Sequence, residues 1–304
     1  MSGRAVFCFC DMMIKRMCFV ALWMCTACCC HIGAAGITYT KADSLKVVRL
    51  LEEGARQGKK VNLMLYYGKK MQGIPYVAHT LEVNKTEQLV VNMRQMDCTT
   101  FVETVFALAL TTKEGSRRWE DFCRWLERIR YQQGRVDGYP SRNHYFLWWA
   151  ENNEKQGLVT LPLQKEKCEY ARKQVINIDY MTVHPQYYSM LKGNKADIAA
   201  IARMEKASKG KVMKYIPAQN MGLTQARLKW VRTGDILAIA TKKKGLDTTH
   251  IGIAVWGEDG RLHLLNASQI HKKVILEPKN MRQYMREHPS QLGVWVIHPL
   301  LLND

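Results

Sequence analysis

The order of periodic segments along the chain predicts an α+β fold. Apolar residues recur at helical spacing through most of the first two thirds of the 304 residues, whereas β-branched and alternating runs dominate the last third. Helices followed by strands, rather than a regular alternation of the two, are typical of α+β proteins. With 47% hydrophobic residues the chain can bury one large core, and no repeat or low-complexity linker divides it. We therefore expect a single domain over residues 36–304, with additional helices around its core.

The individual elements are predicted from capping residues and from hydrophobic periodicity. Ser44 is expected to cap a first helix whose apolar face carries Leu45, Val48, Leu51 and Ala55. Further helices are predicted at 61–70, from Cys98 onward, and at 116–132, 145–156 and 195–208. Strands are predicted at 212–216, 235–241, 249–257, 261–267, 273–277 and 293–298.

The first 35 residues have the pattern of an export signal. Lys15 and Arg16 precede an apolar run over 17–30, which is shorter than the roughly 20 residues that span a bilayer, and small residues follow at 33–35. The segment 1–35 is therefore predicted to be a signal peptide, and the mature protein to be exported to the periplasm. Thr26-Ala27-Cys28 resembles the end of a lipoprotein signal, so a lipid anchor that attaches the protein to the membrane remains an alternative.

Cys98 stands where an extended, β-branched run over 88–92 gives way to a helix. The first turn of a helix has unpaired backbone N–H groups and the positive end of the helix dipole, which favour a thiolate and can hold an oxyanion. A cysteine in that position is a candidate nucleophile with a lowered pKa. A lone cysteine beside an apolar helix is more often a buried structural residue, so this interpretation requires partner residues elsewhere in the chain.

His250 is the histidine whose context fits a general base. It lies among the first residues of the predicted strand 249–257, at the rim of a sheet, whereas the other histidines, His144 excepted, are expected at the surface or in packing roles. A cysteine and a histidine that are distant in sequence, each at the end of an element, form the arrangement of a cysteine hydrolase.

The loop after this strand indicates which residue would orient His250. Glu258-Asp259-Gly260 is a three-residue loop ending in glycine, which suits a type I turn with a G1 bulge. In that register Asn266 lies on the same face as His250, one diagonal step away. A loop of two or four residues would reverse the parity and place His263 beside His250. Both residues are therefore candidates, and Asn266 is favoured.

Six blocks of the sequence, between about residue 60 and the end, have the order and the residues of a known family. They are Gly73-Ile74-Pro75-Tyr76, Asp97-Cys98-Thr99-Thr100-Phe101-Val102-Glu103, Ser141-Arg142-Asn143-His144-Tyr145-Phe146, Gly234-Asp235-Ile236, Leu246-Asp247-Thr248-Thr249-His250-Ile251-Gly252 and Asn266-Ala267-Ser268. The chain resembles the bacterial N-acetylmuramoyl-L-alanine amidase-like family of the papain-like, NlpC-type peptidoglycan hydrolases. This resemblance implies a papain-like cysteine hydrolase with a nucleophile helix packed on an antiparallel sheet. It also implies that Cys98 is the nucleophile, His250 the general base and acid, and Asn266 the third catalytic residue.

The resemblance further implies substrate-binding residues around these three. The loop 139–145 carries an arginine that can hold a carboxylate bidentately, and tyrosines that offer flat faces and hydroxyls. The candidates are Tyr76, Asp97, Arg142, His144, Tyr145, Asp247 and Thr249. No metal and no cofactor is expected, because the chain has no H-E-x-x-H motif and its mature part has no cysteine pair at zinc-ligand spacing.

The expected reaction follows from the same resemblance. It is hydrolysis of the amide between N-acetylmuramic acid, in its 1,6-anhydro form in soluble wall fragments, and L-alanine, through a thioester on Cys98. The alternative is an endopeptidase that cuts between γ-D-glutamate and the diamino acid of the stem peptide. The net charge of +18 is expected to attract anionic wall fragments. A nucleic-acid partner is not expected, since the basic residues are dispersed and no recognition motif is present.

Overall fold

The computed structural model describes residues 36–301, so the predicted export signal at 1–35 lies outside the described residues. The helices described are α1 (Lys41–Ala55), α2 (Leu63–Lys70), α3 (Cys98–Lys113), α4 (Trp119–Arg130), α5 (Phe146–Lys155), α6 (Pro162–Lys165), α7 (Tyr180–Val183), α8 (Lys195–Ser208) and α9 (Met281–Arg286). The strands described are β1 (Ile37–Thr38), β2 (Leu89–Val90), β3 (Val159–Thr160), β4 (Arg172–Val175), β5 (Val212–Pro217), β6 (Ile236–Thr241), β7 (Thr248–Trp256), β8 (Leu262–Ser268), β9 (Lys273–Leu276) and β10 (Gln291–Pro299). Within 36–301, no helix has both the length and the apolar character needed to cross a membrane.

Helix α1 begins earlier than predicted, because Thr40 caps it and Ser44 does not. The Thr40 side chain accepts a hydrogen bond from the Asp43 backbone N–H, and the Asp43 carboxylate accepts one from the Thr40 N–H at 2.9 Å. This reciprocal capping box starts the helix at Lys41 and leaves Leu45, assigned to the apolar face, exposed to solvent.

An eight-stranded sheet forms the centre of the fold. Its strands follow the order β4-β5-β10-β6-β7-β8-β9, and β3 pairs with β10 outside this path. The pairings recorded in this sheet are all antiparallel. A separate short pair, β1 with β2, is parallel. The predicted combination of helices with an antiparallel sheet is confirmed.

The β7–β8 hairpin has the predicted register. Ile253 pairs with Leu265, and the Gly257 N–H donates to the Arg261 carbonyl at 2.8 Å. Gly260, the last residue of the loop, has a φ of +69°, the left-handed conformation that a G1 bulge requires. The prediction of a three-residue loop is confirmed, and with it the parity that places residues of β7 and β8 on a common face.

Helix α3 lies in the core and packs on β7 and β8 on one side and on α1, α2 and α4 on others. Every side chain from Thr100 to Thr111 is buried, so the helix cannot shift without disturbing the core. This packing fixes Cys98, the first residue of α3, near the start of β7. The predicted packing of the Cys98 helix on an antiparallel sheet is confirmed.

Candidate active site

Asp97 caps the helix that Cys98 begins. The Asp97 carboxylate accepts hydrogen bonds from the Thr100 backbone N–H at 2.8 Å and from the Thr100 hydroxyl at 2.9 Å. In return, the Asp97 N–H donates to the Thr100 hydroxyl oxygen at 2.9 Å. Asp97, predicted to contact substrate, is thus placed as the residue that fixes the turn on which Cys98 stands.

The His250 imidazole is held by Asn266. Its Nε2 lies 2.9 Å from Asn266 Oδ1, while Asn266 Nδ2 donates to the Leu264 carbonyl at 3.2 Å. Asn266 is almost completely buried, and this second bond turns its oxygen toward the histidine. Because an amide oxygen only accepts, Nε2 carries the proton and Nδ1 keeps its lone pair. His250 therefore has a tautomer that can act as a base through Nδ1.

His263, the alternative orienting residue, has other partners. Its Nδ1 lies 3.0 Å from the Glu277 carbonyl, and its Nε2 lies 3.1 Å from an Asp259 carboxylate oxygen. Both ring nitrogens are engaged there. The structure brings Asn266 to His250 and keeps His263 away from it.

Cys98 and His250 line one cavity of about 190 Å³. The Cys98 sulfur accepts hydrogen bonds from the backbone of Ile251, the residue after His250, and from Thr99. The hydrogen bond from Ile251 therefore holds the sulfur against β7, the strand that carries His250. The two residues selected from distant parts of the sequence thus meet in one cavity.

Burial disfavours the charged form of both members of this pair. Burial and the neighbouring Asp97 carboxylate raise the pKa of the Cys98 thiol to about 12, although the hydrogen bonds from Ile251 and Thr99 lower it. Burial lowers the pKa of His250 below its usual value, although the hydrogen bond to Asn266 raises it. The expectation of a lowered thiol pKa at the helix start is therefore corrected, because loss of hydration and a nearby anion outweigh the helix dipole.

Tyr76 lies close to the sulfur. Burial raises the pKa of its phenol to about 12, with contributions from the charges of Cys98 and Asp97. Its backbone is held in place, since the Tyr76 N–H donates to the Lys272 carbonyl at 2.9 Å. The phenol consequently stays protonated and can act as a neutral hydrogen-bond donor beside the thiol.

Asp247 joins the strand of His250 to helix α5. One of its carboxylate oxygens accepts from the Leu147 N–H and the other from the Thr248 N–H, each at 2.7 Å. Burial raises the pKa of Asp247 to about 6, while these backbone N–H groups lower it. Predicted to bind substrate, Asp247 instead caps a helix with both oxygens occupied. Thr249, two residues further on, lines the cavity.

Arg142 is bound inside the protein and does not line the cavity. Its guanidinium donates to Glu82 at 2.6 Å and lies 3.3 Å from Glu87, with 8% of its side chain exposed. The guanidinium also lies over the Tyr139 ring, 4.8 Å from its centroid. The prediction that Arg142 holds a substrate carboxylate is corrected, because the carboxylates that it holds belong to the chain itself.

Tyr145 and His144 line the cavity, yet polar atoms of both are used elsewhere. The Tyr145 hydroxyl donates to Glu205 at 2.6 Å and accepts from the Met181 N–H at 2.9 Å. His144 Nε2 lies 2.8 Å from the Tyr139 carbonyl, and burial lowers the pKa of this imidazole well below its usual value. Nε2 therefore donates the proton, which leaves Nδ1 as a neutral acceptor. Tyr145 offers its ring to the cavity and not its hydroxyl.

The wall of the cavity combines aromatic rings with uncharged polar side chains. Of the described residues that line it, none is a lysine or an arginine, and its one acidic side chain, Asp247, faces backbone N–H groups. Sequence reasoning missed part of this wall, namely Asn143, Phe146, Trp149, Met181, Tyr188 and Leu246. Met181 lies in the four-residue helix α7, and Tyr188 lies outside any helix or strand, so neither belongs to an element long enough for a periodic pattern to predict. Asn143 and Phe146 adjoin residues that were selected, and only the fold brings them into the same wall as Cys98. The Asn143 side-chain amide is bound to Gln132 and to the Ile129 carbonyl.

The sequence profile of one protein family matches residues 66–294, which is most of the chain. The family is described as AmiA-like, N-acetylmuramoyl-L-alanine amidase-like. The chain belongs to this family. It is therefore a member of an amidase-like family of peptidoglycan hydrolases, and the matched range includes Cys98, His250 and Asn266.

Solved structures resemble this AmiA-like chain over most of its length. An N-acetylmuramoyl-L-alanine amidase from Bacteroides uniformis is 34% identical, covers 79% of this chain and 99% of its own, and has a TM-score of 0.72. A Bacteroides fragilis protein described as a xylanase candidate is 38% identical, covers 77% of this chain and 99% of its own, and has a TM-score of 0.71. A Legionella pneumophila protein of the DUF1460 family, 20% identical over 85% of this chain and 94% of its own, shares the fold with a TM-score of 0.60. No curated protein matches the sequence.

Proposed function

We propose that this AmiA-like protein hydrolyses the amide between N-acetylmuramic acid and L-alanine, with Cys98 as the nucleophile, His250 as the general base and acid, and Asn266 as the residue that orients His250. The observation that carries the proposal is the cavity beside Cys98 and His250, whose described wall has aromatic rings and no lysine or arginine, which suits a sugar and its lactyl arm. Membership of the AmiA-like family and the name of the Bacteroides uniformis relative support it. A papain-like, NlpC-type architecture is part of the same proposal.

The neutral thiol and imidazole define how the reaction begins. His250 Nδ1 accepts the Cys98 proton as the sulfur attacks the lactyl carbonyl, so that proton transfer and C–S bond formation proceed together. Backbone N–H groups at the start of α3 stabilise the oxyanion of the tetrahedral intermediate. The imidazolium then protonates the L-alanine nitrogen, the C–N bond breaks, and the peptide leaves with a free amine.

Hydrolysis of the thioester completes the cycle. His250 takes a proton from a water molecule as the water oxygen attacks the thioester carbonyl. The C–S bond breaks, and the sulfur recovers the proton from His250. The products are a muramic acid fragment with a free lactyl carboxylate and a peptide that begins with L-alanine. Throughout, Asn266 holds the imidazole in the orientation that each proton transfer needs.

The charge of the cavity wall favours the amidase over the endopeptidase alternative. A γ-D-glutamyl residue carries a free carboxylate next to the bond that an endopeptidase cuts, and burial of an unpaired carboxylate costs several kcal/mol. The described wall offers no lysine or arginine to pair with it, and Arg142 is already bound to Glu82 and Glu87. The hydroxyl and acetamido groups of a sugar, in contrast, match uncharged partners such as Thr249 and Nδ1 of His144.

Glycoside hydrolysis, which the name of the Bacteroides fragilis relative suggests for that protein, is not favoured by this site. Glycosidases use two carboxyl groups roughly 5–10 Å apart on either side of the bond. The described residues that line the cavity include one carboxylate, Asp247, and both of its oxygens accept backbone hydrogen bonds. The sulfur and imidazole pair is the reactive chemistry available.

The size of the cavity supports a small, soluble substrate. At about 190 Å³ it is smaller than the roughly 300–1,000 Å³ of typical ligand clefts, so it suits a terminal sugar better than a glycan that continues on both sides. Fragments that end in 1,6-anhydro-N-acetylmuramic acid meet this condition, and they are the substrates that we propose. The pattern of residues 1–35 supports a periplasmic location for this activity, either in solution or through a lipid on Cys28.

Product analysis tests the bond that is cut. The protein is incubated with 1,6-anhydro-muramoyl-L-alanyl-γ-D-glutamyl-diaminopimelate, and the products are identified by mass spectrometry. We expect the free anhydro sugar acid and an intact tripeptide that begins with L-alanine. If the diamino acid is released while L-alanyl-D-glutamate stays on the sugar, the endopeptidase alternative replaces the proposal.

A further inference from the structure

A second cavity, of about 820 Å³, lies at the other end of α3 from Cys98. Its wall includes the end of α1, the start of α2, Thr112 near the end of α3, the segment 232–235 and the end of β10. Cys98 begins the same 16-residue helix, which at 1.5 Å per residue places the two cavities roughly 20 Å apart. This distal cavity has no part in the chemistry proposed for Cys98.

Cationic side chains converge on the distal cavity. Lys59, Lys60, Lys113 and Arg232 line it, and the one acidic side chain among its described lining residues is Asp235. Within residues 36–301, Lys59, Lys60 and Arg232 form no direct ion pair. Their charges are therefore available to a ligand.

The start of α2 adds backbone donors to the same wall. Asn62 caps the helix by accepting from the Leu65 N–H at 3.0 Å. The N–H groups of Leu63 and Met64, the first two residues of α2, have no acceptor among the described residues, and both residues line the cavity. Unpaired N–H groups at the positive end of a helix are suitable donors for an anion.

The buried imidazole of His298 is an independent sign of a ligand. Its Nδ1 lies 2.8 Å from one oxygen of Asp235, whose other oxygen accepts from the Arg232 N–H at 2.6 Å. Since an ionised carboxylate only accepts, Nδ1 carries a proton. Nε2 has no partner among the described residues, although His298 is only 7% exposed and lines the cavity. A ligand at this position would complete the hydrogen bonding of Nε2, which can accept a proton from a protonated phosphate or carboxylic acid or share its own proton with an anion when the ring is doubly protonated.

We propose that the distal cavity binds an oxyanion, the phosphate or carboxylate group of a ligand, between the start of α2, the side chains of Lys59, Lys60 and Arg232, and Nε2 of His298. The basic side chains supply attraction, while the helix N–H groups and the imidazole supply directed hydrogen bonds. A site of this kind anchors an anionic molecule away from the reacting bond. The proposal does not rest on the amidase activity, because it can be measured without turnover.

Titration calorimetry of the full chain with inorganic phosphate and, separately, with citrate tests this site. The triple variant Lys59→Gln, Lys60→Gln, Arg232→Gln is expected to bind the preferred anion at least tenfold more weakly. A matched control removes the same charge from exposed positions elsewhere, through Arg172→Gln, Lys173→Gln and Lys209→Gln. This control is expected to change the affinity for the anion less than twofold. The anion that binds more tightly identifies the group that the site accepts.

A second measurement reports on His298 itself. In protein labelled with ¹⁵N at histidine, addition of phosphate or citrate should shift the Nε2 resonance of His298, assigned by its absence in His298→Gln, and should leave the His263 resonances in place. Turnover of soluble muropeptides should be unchanged in the triple variant. The proposal is overturned if neither anion binds, if the control variant loses as much affinity as the triple variant, or if the His298 resonance does not respond.

Discussion

Two cavities lie at opposite ends of α3. The smaller has Cys98, His250 and aromatic rings in its wall, and none of its described lining residues is a lysine or an arginine. The much larger one is lined by four basic residues. The basic residues that give the net charge of +18 are therefore absent from the described wall of the cavity where the amide is expected to be cut. A strongly basic composition indicates attraction of anionic molecules to the protein as a whole, and it gives no guide to the chemistry of the reacting site.

Charges near the candidate active site are neutralised within the protein. Arg142 is shared by Glu82 and Glu87, and the Asp247 carboxylate is satisfied by backbone N–H groups. Arg130 pairs with Glu103 of α3 at 2.7 Å, with both side chains 2% exposed. These pairs hold the elements around Cys98 together, whereas Lys59, Lys60 and Arg232 at the distal cavity are exposed to solvent.

The largest effect is expected at the neutral end of α3. Cys98→Ala should lower kcat on the order of a thousandfold or more, because the nucleophile is lost, and should leave the melting temperature nearly unchanged. Cys123→Ala is the matched control: this buried cysteine of α4 should affect stability and leave kcat intact. Cys98→Ala that retains a tenth of the wild-type kcat would contradict the assignment of the nucleophile.

A smaller but clear effect is expected for the residue that orients the base. Asn266→Ala should lower kcat more than tenfold, because His250 loses the partner that fixes its tautomer. His263→Ala should act mainly on thermal stability, because its partners are Glu277 and Asp259. Steady-state kinetics and melting curves of the two variants decide between them, and the reverse ranking would restore His263 as the orienting residue.

The pH profile is expected to reflect the neutral imidazole. Because burial lowers the pKa of His250, the base form persists below pH 6.5, and kcat/KM should fall only as the pH drops through this lowered pKa. Asn266→Asp places a carboxylate beside the imidazole and should move this acidic limb upward by about one unit. A wild-type limb centred at or above pH 6.5 would show that the imidazole is charged more readily than its burial implies.

The smallest effect on catalysis is expected at Arg142. Arg142→Gln leaves two buried carboxylates without their cation, so it should destabilise the fold by about 3 kcal/mol or more while KM of the folded enzyme changes less than twofold. Glu82→Gln is a milder second variant with the same expectation for KM. A tenfold rise in KM in both variants would place Arg142 in substrate binding after all.

The parts of the fold and site that sequence predicts are those set by local rules. The loop 258–260 fixes the β7–β8 register through its length and its final glycine, and this register brings Asn266 to the face of His250. Helix α8 was predictable to the residue, because Asn194 caps it and its apolar spacing is regular. The capping box of α1 at Thr40 is equally local, but the predicted cap was Ser44.

What sequence does not predict depends on partners that are distant in the chain and follow no period. Arg142 in a loop beside tyrosines resembles a substrate ligand until Glu82 and Glu87 fold against it. The Tyr145 hydroxyl is taken by Glu205 for the same reason. The thiol pKa of Cys98 depends on how much water the surrounding walls exclude, which no pattern around residue 98 reveals.

The origin of the cavity walls has a consequence for how this protein can change. Cys98, His250 and Asn266 come from α3, β7 and β8, which pack on or pair with one another in the core. Much of the surrounding wall comes instead from other segments, around 143–149 and 181–188. The first of these segments is itself core, since Trp149 packs on Phe106 of α3 and the Leu147 N–H holds Asp247. Tyr188, in the second segment, is only partly buried. Variants that accept new substrates should therefore be sought first around Tyr188, where a change of side chain disturbs the three central residues least.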